Sequence, residues 1–317
     1  MHDARPDPTT VFLVNPASAG GSTGRRWPEI AHRAAALGLP GDALISEEPG
    51  QLAQLAADAI AGGAELLVVV GGDGSVNEVV NGVVPAGRDG VEIAVIARGT
   101  GWDFVRTYGI PRDLDRAVAV ALAGQVREID LGVVEYRTWA GADARSYFAN
   151  VASAGISGAI AKRANETSKR LGGKASYYWA TLAVFARWQI GEMRVTVDDE
   201  VRHGKMIDAM VANGRYVAGG MMMLPEAEPD DGLFEVLLFG DVTKRDLVFT
   251  LPKTYRGKHL PHPRLEVLRG RVVTVEAPEP LPIEIDGEQP GTTPARLEIL
   301  PGALRLRVPR TQGQAPA

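Results

Sequence analysis

Residues 66–78 run Leu66-Leu67-Val68-Val69-Val70-Gly71-Gly72-Asp73-Gly74-Ser75-Val76-Asn77-Glu78. The first five are a continuous apolar run, the pattern of a strand buried on both faces. Val76, Val79, Val80 and Val83 then recur at i, i+3, i+4 and i+7, one face of a helix. Ser75 and Glu78 have the spacing of a capping box, which predicts a helix start at Ser75. The stretch is therefore strand, glycine turn, helix. Glycines let a backbone approach a ligand closely, and a helix start offers unpaired N–H groups at the positive end of a dipole. Such a corner suits a phosphate. Asp73 would repel a bare anion, but it fits a divalent cation lying between carboxylate and phosphate. These residues alone leave two readings: a Mg-nucleotide site, or an ordinary glycine-rich βα turn with a solvated aspartate.

The same alternation continues on either side. Val11-Phe12-Leu13-Val14 is a first strand, followed by a loop from Asn15-Pro16 through Gly20-Gly21 to Gly24. A helix is predicted over 25–37, with Trp27, Ile30, Ala31 and Ala34 on one face and Gly38 as its stop. Ala43-Leu44-Ile45-Ser46 is a second strand, and Pro49 opens a second helix that ends at Gly62-Gly63. Ile93-Ala94-Val95-Ile96 leads into Arg98-Gly99-Thr100-Gly101-Trp102-Asp103-Phe104, and a helix over 113–123 closes this half. This order implies a parallel sheet covered on both faces, with ligands beyond the carboxyl ends of the strands. The loops at 15–24, 46–48, 71–75 and 98–103 should gather at that edge. Asn15, Gly20-Gly21, Gly99-Thr100-Gly101 and the Ser46 hydroxyl add cradles and donors there. Together with Asp73 they favour a nucleotide over a plain turn.

Beyond residue 126 the pattern becomes β-rich. Strands are predicted over 126–136, 145–151, 193–198, 205–212, 234–239, 271–276, 281–286 and 303–308, with helices over 156–190 and 243–256. A sandwich or flattened barrel fits this half. The tail at 310–317 is polar and is expected to be disordered. A 45% hydrophobic and 23% charged composition is enough for real cores. A net charge of −5 argues against nucleic acid as a partner. With no cysteine in the chain, disulfides, thiolate catalysis and Cys-ligated metals are excluded. No apolar segment suggests a signal peptide or a membrane span, so a cytoplasmic protein is expected.

Two stretches of the second half carry chemistry. Pro229-Asp230-Asp231-Gly232-Leu233 is first of all a turn, and alternatively a hard-cation site made from a carboxylate and carbonyls. Glu284-Ile285-Asp286-Gly287-Glu288 places acidic groups at a strand end, where a carboxylate could take a proton from an attacking hydroxyl. Glu284 itself is expected to be a solvated strand-end residue.

In this order, the Asn15-Pro16 and Gly20-Gly21 loop, the stretch at 71–78, Gly99-Thr100 with Asp103-Phe104, the D-D-G-L element and Asp286-Gly287-Glu288 resemble the soluble diacylglycerol kinase and lipid kinase family, related to sphingosine and ceramide kinases. The likeness spans 11–308. G-G-D-G alone also occurs in phosphofructokinases and NAD kinases; the N-P loop, D-D-G-L and D-G-E are what point to lipid kinases. The resemblance implies an α/β ATP-binding domain at 9–125 and a β-sandwich lipid-substrate domain at 126–309, with the active site in the cleft between. It implies that Asn15, Ser46, Gly71, Gly72, Asp73, Gly74, Ser75, Val76, Asn77 and Thr100 bind ATP, and that Asp73 organises the Mg2+-bound phosphates. Glu288 matches the proton acceptor, with Asp286 beside it. Asp231 would give a carboxylate, and Glu228 and Leu233 carbonyls, to a structural Mg2+. Two positions depart from the pattern: Ser75 replaces a threonine and keeps the hydroxyl, and Trp102 stands where the family has an asparagine.

The expected reaction is transfer of the γ-phosphate of ATP to a diacylglycerol-like lipid. The alternatives are a kinase of a small soluble acceptor, NAD kinase-like, and a catalytically weak nucleotide- or lipid-binding regulator. A lipid presented at a membrane surface implies peripheral association at the inner face of the membrane. Lys162, Arg163, Lys169, Arg170 and Lys174, ahead of Tyr177-Tyr178-Trp179, Leu182 and Val184-Phe185, form the candidate contact. Met221-Met222-Met223-Leu224 is core filler, or the wall of an acyl-chain site. Edge strands offer a route to a homodimer.

Overall fold

The computed structural model describes residues 9–99, 101–171, 183–185 and 187–310. Thr100, Lys174, the aromatic run at 177–179, Leu182 and the tail from 311 lie outside them, as do the side chains of Lys169 and Arg170. The described chain divides into two units. One takes the residues up to 99, Tyr108–Ile129 and those from Ala303 on; the other takes Gly101–Thr107 and Asp130–Gly302.

The first unit alternates strictly: β1 (Thr10–Val14), α1 (Ser22–Ala36), β2 (Asp42–Ile45), α2 (Gln51–Ala61), β3 (Leu66–Gly71), α3 (Asp73–Ala86) and β4 (Glu92–Ala97). The strands are parallel in the order β2-β1-β3-β4. Every residue of β3 is buried, as a strand covered on both faces requires. On one face Phe12, Val14, Val68, Val70, Ala94 and Ile96 pack against Ala34 of α1 and against Ala117, Val118 and Ala121. Those last three belong to α5 (Leu114–Ala123), which follows the short α4 (Asp103–Thr107) of the other unit. Asp113 caps α5 by accepting the Arg116 amide at 3.0 Å. Helices α2 and α3 pack on each other so closely that a Cβ at Gly82 would meet the Ala53 carbonyl oxygen at 2.1 Å.

The second unit is a β-sandwich. Its strands are β5 (Gln125–Thr138), entering from the first unit, β6 (Asp143–Phe148), β7 (Val151–Gly155), β8 (Gly191–Val197), β9 (Glu200–Met206), β10 (Asp208–Ala212), β11 (Tyr216–Val217), β12 (Met221–Met222), β13 (Phe234–Phe239), β14 (Leu265–Gly270), β15 (Val272–Glu276), β16 (Ile283–Ile285) and β17 (Gly291–Val308). Helix α6 (Ile156–Leu171) follows β7, and α7 (Lys244–Thr254) follows β13. One layer runs β14-β13-β10-β7-β16; the other includes β5 with β6, and β17-β15-β8-β9. Val134, Val195, Val273 and Leu297 of one layer meet Ala152, Val211, Val236 and Ile283 of the other. The end of β17 leaves this unit and lies parallel to β4, with Arg305 opposite Glu92.

Candidate active site

In the first unit, β1 leads to β2 on one side, while β3 lies on its other side and leads away to β4. Neighbouring strands whose connections diverge open a crevice at their carboxyl ends, the place where such sheets bind ligands. Asn15 and Ser75 bridge that crevice: Asn15 Nδ2 donates to Ser75 Oγ at 2.9 Å. The Asn15 amide donates to Val70 O at 3.0 Å, and the Ser46 amide to Val14 O at 3.0 Å. Ser46 is buried, with its hydroxyl 3.4 Å from the same Val14 carbonyl. A Cβ at Gly71 would lie 2.3 Å from Ser75 Oγ, so the glycine is what lets this hydroxyl tuck under the strand end. A Cβ at Gly99 would fall 2.9 Å from Gly72 Cα, so two bare backbones pass one another at the mouth of the loop.

The electrostatics are those of an anion site. Helices α1 and α3 both start at this edge, their N-cap residues Gly21 and Gly72 make no side-chain capping bond, and α1 has no acidic residue in its first turn. The Ser22, Thr23 and Gly24 amides of α1 donate to the Ala19, Ser18 and Pro16 carbonyls, and those of Ser75 and Val76 to Gly72 O, so what each start directs outward is the positive end of its dipole rather than a full set of donors. The capping box expected of Ser75 and Glu78 does not form. The helix begins at Asp73, and Glu78 Oε2 instead accepts the Leu52 amide of α2 at 3.2 Å. Tertiary contact between α2 and α3 outcompetes the local pairing, and the hydroxyl of Ser75 is released to Asn15. Asp73, Asn77 and Gly74 lie at this helix start, with Ser75 and Val76 buried behind them.

In the second unit, the acidic corner is a hairpin. Ile285 and Glu288 exchange backbone hydrogen bonds of 2.9 and 3.0 Å. Asp286 and Gly287 between them have φ of 46° and 95°, the two left-handed residues of a type I′ turn. The Asp286 carboxylate accepts three amides, from Ala149 (2.9 Å), Asn150 (3.1 Å) and Val151 (2.8 Å). It is thus a clamp that fixes the corner against the start of β7, and Glu288 is presented on the exposed side. Glu284 is not solvated as expected. It is 7% exposed, accepts Ser153 Oγ at 3.2 Å, and also accepts the Gly287 amide. Burial pushes its carboxyl from 4.5 up to about 8; the Gly287 amide pulls it back, and the charges of Asp286 and Asp208 push it further up.

A bonded chain runs outward from this corner through residues that motif reading did not single out. Asn150 Nδ2 donates to Tyr216 O at 2.8 Å, and Asn150 O accepts the Asn213 and Gly214 amides at 2.9 Å each. The Arg106 guanidinium lies 5.2 Å from the Tyr216 ring centroid and pairs with Asp103 at 3.1 Å. Asp103 Oδ2 accepts the Gly219 amide at 2.7 Å. The aspartate of the G-T-x-x-D-F element therefore anchors α4 to the loop beside the acidic corner, within this unit. Asp103 carried a signal in its motif; Asn150 and Arg106 carried none. Trp102, just before, has φ 65°, a conformation that asparagine tolerates and a bulky residue resists.

At the turn where Asp231, Glu228 and Leu233 are expected to hold a cation, the carboxylate has protein partners. Asp231 Oδ1 accepts the Leu233 amide at 2.9 Å, and Oδ2 pairs with the guanidinium of Arg269. Arg269 stands directly across the β13–β14 ladder from Glu235 and binds its carboxylate at 2.7 Å. A guanidinium already supplies the positive charge that a divalent ion would bring. The Glu228 and Leu233 carbonyls remain the other two ligands of the expected set. The turn itself is held by Asp130, 2% exposed, whose carboxylate accepts the Gly232 amide at 2.7 Å and the Gly302 amide at 2.8 Å.

Behind the second sheet lies a cavity of about 100 Å3, lined by Ile160, Phe185, Met210, Met221, Met223 and Leu251 among others. Of the Met221–Leu224 run, Met221, Met223 and Leu224 are core, and Met221 and Met223 also wall the cavity. Two of its titratable wall residues, Asp208 and His259, are shifted toward their neutral forms. Burial pushes Asp208 up to about 7, against the Ser157 hydroxyl and amide that it accepts, and pushes the His259 imidazole down. The space suits an apolar occupant.

Residues 9–134 match the model of the diacylglycerol kinase catalytic domain, and 150–308 that of the YegS C-terminal NAD kinase beta sandwich-like domain. The chain is 31% identical over 304 residues to a Pseudomonas aeruginosa (strain UCBPP-PA14) protein named "Probable lipid kinase YegS-like", covering 96% of this chain and 95% of that one. It is 26% identical over 299 residues to a diacylglycerol kinase of Staphylococcus carnosus, covering 94% of each. Its fold is similar to a crystal structure of a diacylglycerol kinase from Bacillus anthracis, with a TM-score of 0.72 at 22% identity over 96% of this chain and 98% of that one. A yeast NADH kinase complexed with NADH shares the fold at a TM-score of 0.52 and 10% identity, covering 97% of this chain and 85% of that one.

Proposed function

The chain belongs to the diacylglycerol kinase family of lipid kinases, and from that premise we propose that it transfers the γ-phosphate of ATP to the hydroxyl of a diacylglycerol-like lipid. The observation that carries the nucleotide half is the Asn15–Ser75 bridge across the β1/β3 crevice, flanked by two glycine-capped helix starts. On this reading the loop at 71–77 holds phosphates at the positive end of α3, with Asn15 fixing the loop and Ser46 and Thr100 binding the rest of the nucleotide. Asp73 is the one carboxylate of the loop and takes the Mg2+ side of the phosphates. Mg-ATP, when bound, supplies the phosphoryl group and much of the charge neutralisation that such transfers need.

The second unit supports the acceptor half. Glu288 is the proposed base: its carboxylate takes the hydroxyl proton as the oxygen attacks. Asp286 positions it by spending its own carboxylate on three amides. The apolar cavity suits part of an acyl chain, since room among aliphatic and aromatic side chains is what such a chain needs.

The test is transfer of labelled γ-phosphate from ATP to a panel of lipids in mixed micelles. Asp73→Ala should lose most activity while staying folded. Glu288→Gln should lower kcat by ~10²–10⁴-fold, the usual worth of a general base, with the KM for ATP kept. Full activity in Asp73→Ala, or equal loss of turnover and ATP binding in Glu288→Gln, would overturn the assignment.

A further inference from the structure

Helix α7 has two unlike faces. Its inner face carries Leu251 and Thr254, both buried and both lining the apolar cavity. Its outer face carries Arg245, Phe249 and Lys253 in an i, i+4, i+8 column. Phe249 is 72% exposed, more than any other large hydrophobic residue among those described. The turn that follows extends the face with Tyr255, Arg256 and Lys258, all exposed, and is folded onto the helix end by Arg256 and Lys258 amides donating to Lys253 O at 3.0 and 3.1 Å. None of the side chains of Arg245, Lys253, Arg256 and Lys258 pairs with a described carboxylate, although the chain as a whole carries −5. The nearby acid, Asp246, is turned away into the capping box with Thr243 and toward His262 and Arg264, at 3.5 and 3.9 Å.

We propose that this outer face of α7 docks the protein on an anionic lipid bilayer, with Phe249 entering the interface and the four cations meeting headgroups. Phe249, with the exposed Pro252 and Tyr255 beside it and four cations around them that pair with no described carboxylate, is a pattern suited to a bilayer interface. Continuity favours a bilayer over a protein partner, because the same helix walls the cavity assigned above to an acyl chain. The proposal takes its purpose from the lipid-kinase reading but is tested apart from it. It adds a contact to the basic stretch ahead of 174 that sequence alone suggested.

The experiment is flotation of the full chain with vesicles of phosphatidylcholine alone and of phosphatidylcholine mixed with phosphatidylglycerol, at low and high salt. Wild type should float with the mixed vesicles only and be released by salt. Removing each cation should weaken binding roughly fivefold, so Lys253→Gln/Arg256→Gln should lose about 25-fold. Phe249→Ala should lose about tenfold or more. These residues are exposed, so all variants should keep wild-type thermal unfolding and transfer to a short-chain lipid dissolved as monomer. Variants that float like wild type would overturn the proposal. So would wild-type flotation that does not need phosphatidylglycerol, or a dimer seen by light scattering that Phe249→Ala abolishes while no flotation occurs. Flotation of the wild type without phosphate transfer to any lipid would remove the kinase reading and leave the docking face standing.

Discussion

Glu284→Gln should make the second unit more stable, and increasingly so as pH rises. The carboxyl is 7% exposed on β16, between Ser153 Oγ and the Gly287 amide, and its folded-state value is raised from 4.5 to about 8. The unfolded chain ionises this group above about 4.5, whereas the folded protein keeps the proton until about 8. Between those values the unfolded state binds fewer protons, so stability falls as pH rises and stops falling above about 8. The slope for one such group is about 1.4 kcal/mol per pH unit, or on the order of 2–3 kcal/mol between pH 6 and 8. Glutamine removes that slope without breaking the contacts: its carbonyl can accept the Gly287 amide and its NH2 can donate to Ser153 Oγ. Asp208, raised to about 7 mainly by burial, contributes its own fall below that pH in both proteins; its charge repels that of Glu284, so this contribution cancels in part and the remainder adds to the advantage of the variant. The assay is urea unfolding followed by circular dichroism at pH 6 and 8. The gap in favour of the variant should widen by ~2–3 kcal/mol, equivalent to ~1 M in the urea midpoint. Parallel pH profiles would refute a neutral, buried Glu284.

Arg269→Ala takes the guanidinium from Asp231 and Glu235. With side-chain exposures of 48% for Arg269 and 22% for Asp231, solvent screening holds the expected loss to ~1–2 kcal/mol. Thermal unfolding of the wild type should be the same in Mg2+ and in EDTA, whereas the variant should regain stability with Mg2+; a wild type that melts earlier in EDTA would show that a divalent ion holds this corner after all. Trp102→Asn should raise stability by ~1 kcal/mol by relieving a left-handed tryptophan, and an unchanged or lower unfolding midpoint would show that the ring's contacts outweigh the strain.

The first unit was legible because its signals are local. Apolar runs gave β1, β3 and β4, and glycine loops marked the edge at which they end. What failed there failed through tertiary contact. Ser75 and Glu78 satisfy the capping-box pattern, yet Glu78 is drawn to the Leu52 amide, which lies 26 residues earlier in the chain. The pairing of Arg305 with Glu92 joins distant strands and leaves no trace in either neighbourhood. Glu284 alternates with Ile283 and Ile285 as a half-exposed strand would, but α6 covers that face: a Cβ at Gly158 would sit 3.2 Å from Ile283 O. The D-D-G-L pattern gave the turn and not its counter-ion, because Arg269 is 38 residues further on.

The acidic corner shows how one short motif divides its labour. Three carboxylates stand within five residues, and composition alone makes them equivalent candidates for a base. Their surroundings do not. Glu284 is enclosed by α6 and β7 and held neutral near pH 7, so it can accept the Gly287 amide but not readily a proton from a hydroxyl. Asp286 has its carboxylate engaged by three amides, each of which would lose its partner if the group turned toward a substrate. Leaving such buried amides unpaired costs about 1–3 kcal/mol apiece, more than a base can recover by reaching out. Glu288 is exposed and lies just past a type I′ turn whose two central residues are pinned, one by its carboxylate and the other by its amide. Two carboxylates thus hold the frame, and that is the physical reason for assigning proton transfer to the third.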